Sequence, residues 1–198
     1  MAFSGYVFKS KEEIMPFLED AENGPSALWA KHQAKRLKSY VCVGYPQKKD
    51  DTHFYNSMCF KITIDFAYIS NSPFSILQVG LGICMDINPY RFEANFRDFE
   101  FANYHLKENT NLILCSMSWL KSDSNPDSTI KYWATRMLPL YQDSEDGRHT
   151  IFVACNRTGS ERQSTFAGSS CVLDISNESI TILNRLGSED IGIMTVDI

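Results

Sequence analysis

Two hydrophobic rhythms divide the chain. Ser10 followed by Glu13 is a capping box, so a helix is expected from there towards Asp20. Asn23-Gly24-Pro25 is a turn, and Pro25 suits the first position of a second helix over "PSALWAKHQAKRLKS". "YVCVGYP" and "FYNSMCFKITIDF" carry the β-branched and aromatic residues of strands, and a further strand is expected from about Gln78 to Cys84. Asn88 and Pro89 are a helix start, and Phe92, Phe96, Phe99 and Asn103 follow at helical spacing, which predicts a phenylalanine-lined face packed inward. "NLILCSM" is the next buried strand, "TIKYWATRMLPLY" the next helix, and Lys121 to Asp127 and Gln142 to Arg148 are loops. The tail turns strand-rich: "IFVACN", "SSCVLDI", "SITILN" and "IGIMTVDI" are expected strands, with "RTGSERQSTFAG" a loop between the first two.

Strand, helix, strand in succession, with continuous apolar runs in the strands, implies a right-handed parallel crossover and an α/β layer fold. At 198 residues, 43% of them hydrophobic, one domain with one substantial core is the simplest organisation. A formal net charge of −5 supplies no surface for nucleic acid. No window approaches the eighteen or so apolar residues that span a bilayer, so no membrane is expected as partner and the cytosol is the expected location. The six cysteines are widely spaced without a C-x-x-C pair and are read as reduced thiols. His32, His53, His105 and His149 share no ligand spacing with acids or cysteines, so neither a metal nor another cofactor is expected. Two sites match the glycosylation acceptor pattern, Asn156-Arg157-Thr158 and Asn177-Glu178-Ser179, but no secretory signal gives them weight.

Cys84 stands where the strand "LQVGLGIC" ends and a helix start follows. A thiol there gains from the partial positive charge and unpaired N–H groups of a helix amino end, and the Met85 N–H can receive an oxyanion formed on an attacked carbonyl. Gly80 and Gly82 permit close backbone approach. The plain alternative is a small core cysteine, which is the reading for the other five.

"GLGICMDINPYRFEANFRDFEFANY", "NLILCSMSWL" and "FVACNRTGSERQSTFAGSS", in this order, resemble the carbon-nitrogen hydrolase (nitrilase) superfamily, and within it the protein N-terminal amidohydrolases that deamidate amino-terminal Asn and Gln. "GYVFKS" and "VGYP" before "YNS" fit the same order. The resemblance implies a four-layer α-β-β-α sandwich, association through the sandwich face, and a protein or peptide N-terminus as substrate. It assigns Cys84 as nucleophile: the sulfur attacks the side-chain amide carbon, ammonia leaves, and water hydrolyses the thioester to Asp or Glu, as an enzyme of the N-degron pathway does. A glutamate acts there as general base and acid, and a lysine steadies the oxyanion.

The same resemblance marks two departures. The glutamate would follow a proline directly before "MAFSGY", upstream of Met1 together with the first strand, whereas Glu12 and Glu13 lie elsewhere and serve a capping box and a solvated face. The lysine would lie in an insert after "YNS", where this chain has only Lys61; a segment near 60–75 is read as missing, and Lys61 as a junction residue. An incomplete copy of the domain over 1–198 is therefore expected to release no ammonia from Asn-peptides, and a catalytically inactive remnant that at most binds a partner is the competing class. A Cys-His peptidase using His105 or His149 is the enzyme alternative from side-chain chemistry alone. Asp86 or Glu93 is expected to hold a substrate α-ammonium, although Asp86 also suits a turn. Met117 and Trp119 are candidates for the pocket wall, with core packing the alternative.

Overall fold

The computed structural model describes residues 1–61, 77–122, 125–142 and 147–198. They fall into two compact units, one within 1–76 and one within 77–198. No helix among the described residues is long and apolar enough to cross a membrane.

In the first unit, α1 (Lys11–Ile14) gives way after one turn to a 3₁₀ turn that carries Pro16, shorter than the capping box suggested. α2 (Pro25–Leu37) opens with its proline and closes on Lys38 in the left-handed region. β1 (Val41–Lys48) and β2 (Phe54–Lys61) pair antiparallel, from Val41 against Lys61 to Lys48 against Phe54. Residues 62–66 of the expected second strand lie outside the described residues. Ala30 of α2 packs on Val43, Tyr45 and Cys59 of the hairpin. The buried carboxylate of Glu19 locks the start of α2, accepting from the Ser26 N–H at 2.7 Å and the Ser26 hydroxyl at 2.9 Å. Its backbone joins β1, donating to Pro46 O and accepting from Lys48 N, each at 2.8 Å. A Cβ on Gly24 would come within 2.5 Å of Asp20 O, so the turn between them needs glycine.

The second unit is built on a five-stranded sheet: β3 (Val79–Ile83), β4 (Leu112–Met117), β5 (His149–Asn156), β8 (Cys171–Ser176) and β9 (Ile180–Arg185), in that order across the sheet. The first three run parallel, β8 is antiparallel to β5, and β9 is antiparallel to β8. A small hairpin, β6 (Ser160–Glu161) and β7 (Ser164–Thr165), stands in the expected loop. The helices are α3 (Glu100–Lys107), α4 (Pro126–Arg136) and α5 (Leu138–Gln142), the last two forming the expected "TIKYWATRMLPLY" segment with a break at Met137. Ile113, Cys115 and Met117 alternate along β4 and, with Phe152, Leu173 and Ile175, form one core with Ala102, Trp133, Met137 and Leu140 from the helices.

Two expectations fail. The segment after Cys84 is not one helix: 3₁₀ turns at Cys84–Ile87, Tyr90–Phe92 and Phe96–Asp98 precede α3, with Arg91, Phe92 and Phe99 all at positive φ. The phenylalanine spacing is coincidental there, and Phe92 is 68% exposed. "IGIMTVDI" forms no strand; Ile191 and Ile193 are 92% and 96% exposed.

The glycines of β3 are explained by α3. A Cβ on Gly80 would lie 2.4 Å from the His105 ring, and one on Gly82 2.6 Å from both Phe101 and the Cys115 sulfur. His105 is 1% exposed; its Nδ1 meets the Thr110 hydroxyl at 3.1 Å, and its Nε2 has no partner among the described residues. Burial without a counter-charge pushes the imidazole down to about 4.

Two outcomes are expected. Replacing Glu19 by Ala leaves the Ser26 groups unmatched and lowers unfolding free energy by about 1–3 kcal/mol, read by urea denaturation. The neutral His105 stabilises the fold fully above pH 6.5, the ordinary value, and that contribution, on the order of 3 kcal/mol, is lost as pH falls towards 4. Denaturation midpoints measured across this range should fall in the native chain and much less in His105→Asn.

Candidate active site

Cys84 follows the last residue of β3 at φ 35°, in the left-handed region that a side chain disfavours at a cost of about 1–3 kcal/mol. The chain turns sharply there, and the thiol is 4% exposed while Met85 and Asp86 beside it are open to solvent. Asp86 closes the turn from within, its carboxylate accepting from the Ile83 N–H at 2.8 Å. The turn reading of Asp86 is therefore realised, with its side chain still exposed. Glu93 lies on the exposed stretch after the Tyr90–Phe92 turn.

The expected helix amino end beneath the sulfur is only a single 3₁₀ turn, too short for a substantial dipole. Burial instead pushes the Cys84 thiol up; the Ser118 backbone N–H, at the end of β4, pulls it down, and the Asp86 carboxylate adds to the rise. Ser118 is a partner that the pattern of residues did not reveal, because only strand register brings the ends of β3 and β4 together: Ile83 lies opposite Ser116.

Behind Ser118 the structure is tightly sewn. Trp119 N donates to Asn156 Oδ1 at 2.7 Å, Asn156 Nδ2 donates to Gly168 O at 2.8 Å, and Asn156 N donates to Ser170 Oγ at 3.0 Å. The Arg157 guanidinium pairs with Glu161 at 2.7 Å and covers the Phe166 ring at 4.5 Å. Gly168, at φ 57°, has Ser188 O only 2.1 Å from where a Cβ would stand. The Asn156-Arg157 and Phe166-Ala167-Gly168 residues thus shape one loop against the end of β4; Ser170 Oγ donates to Asn156 O, and Ser169 Oγ donates within the loop to Ala167 O at 3.0 Å.

On the other side α4 meets the turn. Tyr132 donates its hydroxyl to Asn88 Oδ1 at 2.7 Å, and Asn88 N donates to Met85 O at 2.9 Å. Arg136, fully buried, donates from Nε to Ile87 O at 2.8 Å and from Nη1 to Phe96 O, with Glu100 3.8 Å from Nη2. Its guanidinium stacks over the rings of Phe96 and Phe99 at 4.7 and 4.9 Å. Neither Tyr132 nor Arg136 was foreseen as a partner of this turn, since both come from a helix more than forty residues on.

Met117 belongs to the core cluster that also holds Cys84, and Trp119 packs half-buried against Tyr132 and Trp133. For Met117 packing is thus the role on view. Lys61 ends β2 in the other unit and pairs with Glu22 at 3.4 Å.

The Cys-His peptidase alternative fails on geometry. Ile83 is level with Ser116 and Cys155, so His149 lies six residues back along β5, about 20 Å away along the strands. It pairs with Asp174 at 2.9 Å. His105 lies under Gly80 and is bonded to Thr110. A cavity of about 310 Å³, lined by Asp127, Ser169, Arg185, Ser188 and Asp190, sits by the end of β9. β9 stands four strand spacings from β3, about 19 Å, so the cavity is distinct from the Cys84 turn. Among the described residues no group of three or more His, Cys, Asp or Glu is placed to hold a metal ion.

No family model matches the chain. The protein N-terminal amidase of Schizosaccharomyces pombe is 30% identical, the match taking in 98% of this chain and 83% of the relative. It extends over 240 positions, more than this chain's 198, so it opens gaps in this chain. A crystal structure of N-terminal amidase superposes with a TM-score of 0.76 at 19% identity, covering 93% of this chain and 84% of that one, and further structures of N-terminal amidase hold Asn-Glu and Gln-Val peptides. A carbon-nitrogen hydrolase from Helicobacter pylori G27 gives a TM-score of 0.57 at 16% identity, over 81% of this chain and 62% of that one, so the fold is that of the carbon-nitrogen hydrolases. On the identity that runs through nearly its whole length, the chain belongs to the protein N-terminal amidase family.

Proposed function

We propose that this chain carries the nucleophile and oxyanion half of an amidase that deamidates amino-terminal Asn or Gln of peptides, acting in the cytosol. The observation that carries the reading is the left-handed turn at Cys84, at the carboxyl end of a parallel strand, in a member of this family. Cys84 attacks the side-chain amide carbon, and the Met85 N–H receives the developing oxyanion. Ammonia leaves with one proton, and water then cleaves the thioester, freeing the thiol and a carboxylic acid. Asp86, exposed beside the sulfur, holds the substrate α-ammonium, with Glu93 as the second candidate.

The general base and the oxyanion lysine are proposed to come from two stretches that this chain lacks relative to its S. pombe relative, which the match covers to 83% and only with gaps in this chain. The gaps in the alignment with the S. pombe relative support a missing internal stretch. The competing reading, an inactive remnant, is favoured by one observation: burial pushes the Cys84 thiol up, and the neighbouring Asp86 carboxylate adds to that rise while engaged with the Ile83 N–H.

Ammonia release from Asn- and Gln-peptides decides between them. The 198-residue chain is expected at background, about a thousandfold or more below the chain with both segments restored. In the restored chain, Cys84→Ala should abolish release; an unchanged rate would remove the nucleophile assignment, and a silent restored chain would leave the remnant reading standing. Acetylating the peptide's amino group should cost most of the rate, and Asp86→Asn, which keeps an acceptor for Ile83 N, should raise KM for free peptides. Equal rates for free and acetylated peptides would end the ammonium reading.

A further inference from the structure

The turn that carries Cys84 is held at both ends, and one end depends on α4. At its start the Asp86 carboxylate binds Ile83 N. At its finish Ile87 O accepts from Arg136 Nε, and Asn88, whose N–H closes the turn on Met85 O, accepts the Tyr132 hydroxyl through its side chain. Tyr132 and Arg136 are four residues apart and so lie one above the other on the same face of α4. Arg136 also binds Phe96 O, and the Phe96 ring lies 6.2 Å from Tyr132 and 4.7 Å from the guanidinium, so both contacts are braced by one aromatic side chain.

We propose that Tyr132 and Arg136 are positioning residues for Cys84: two contacts from one helix face keep the 84–88 turn in its left-handed entry, and so keep the sulfur on the Ser118 N–H. A cysteine relaxed to ordinary φ would swing its side chain away from the end of β4. The inference rests on Cys84 being the nucleophile for its relevance to catalysis, but its contacts and its test require no turnover.

The test is the pH profile of Cys84 alkylation by iodoacetamide, read site by site by mass spectrometry, in the native chain, Tyr132→Phe, Asn88→Ala and the double variant. Tyr132→Phe removes one hydroxyl and spares the contacts of the buried Arg136, so the fold is retained. The midpoint for Cys84 should move up by about half to one pH unit in each single variant, as loss of one N–H hydrogen bond to the thiolate requires. The double variant should shift no further than Asn88→Ala alone, because that change already breaks the Tyr132 contact along with the Asn88 Nδ2 contact to Met85 Sδ at 3.6 Å. Buried Cys115 and Cys171 report on general loosening and should stay as slow as in the native chain. Additive shifts, no shift, or Cys115 and Cys171 gaining reactivity in step with Cys84 would overturn the proposal. A native Cys84 that reacts no faster than Cys115 would overturn it together with the nucleophile assignment, whereas a reactive Cys84 indifferent to the substitutions removes the positioning role alone.

Discussion

A cysteine at φ 35° holds its place only because the backbone on either side has no freedom to relax. The left-handed entry at Cys84 is the constraint from which the rest of the second unit can be understood. It bends the chain off the end of β3, sets the sulfur beside the end of β4, and sends the following segment across to α4. Each neighbour answers that bend: Asp86 ties the turn to Ile83, Asn88 closes it on Met85, and a fully buried arginine takes up the carbonyls of Ile87 and Phe96. An arginine suits this last task because its planar head offers several donors in fixed directions while its faces pack on rings.

The close approach of α3 serves the same geometry. Gly80 and Gly82 let His105 and Phe101 lie against the backbone of β3 at distances no side chain would allow. One consequence is a histidine in an apolar setting, neutral and costly to protonate. The glycines therefore matter for how tightly the helix seats against the strand that ends at Cys84.

Strands announced themselves in the residues, because alternation and β-branched runs such as "NLILCSM" are local signals that tertiary packing reinforces. Cys84 and its strand end were legible for the same reason. The segment from Asn88 to Phe99 was misread because a phenylalanine at every third or fourth position imitates a helix face, while the residues that break it act locally: Asn95 caps a separate turn by accepting from Arg97 N, and Phe99 adopts a left-handed conformation just before α3. The contacts that finish the site lay beyond local pattern altogether. Ser118 reaches the sulfur through strand register, and Tyr132 and Arg136 through the docking of a helix, neither of which has a periodicity to betray it. The last eight residues show the opposite error, since apolar alternation in "IGIMTVDI" without a partner strand yields exposed isoleucines.

On the proposed thioester mechanism, the position of the sulfur also explains why a separate base is needed. Burial shields the thioester from stray water and favours the neutral thiol, and the single Ser118 N–H offsets this only in part, because the net displacement of Cys84 is upward. At neutral pH nearly all of the sulfur is then protonated, and attack on an amide demands that the proton be removed as the S–C bond forms and returned to nitrogen as ammonia departs. A fixed N–H donor can do neither; an oxygen base able to hold a proton between the two events can. On the proposed mechanism the turn at Cys84 supplies direction and a donor for the oxyanion, and the transfer of the proton falls to a separate base.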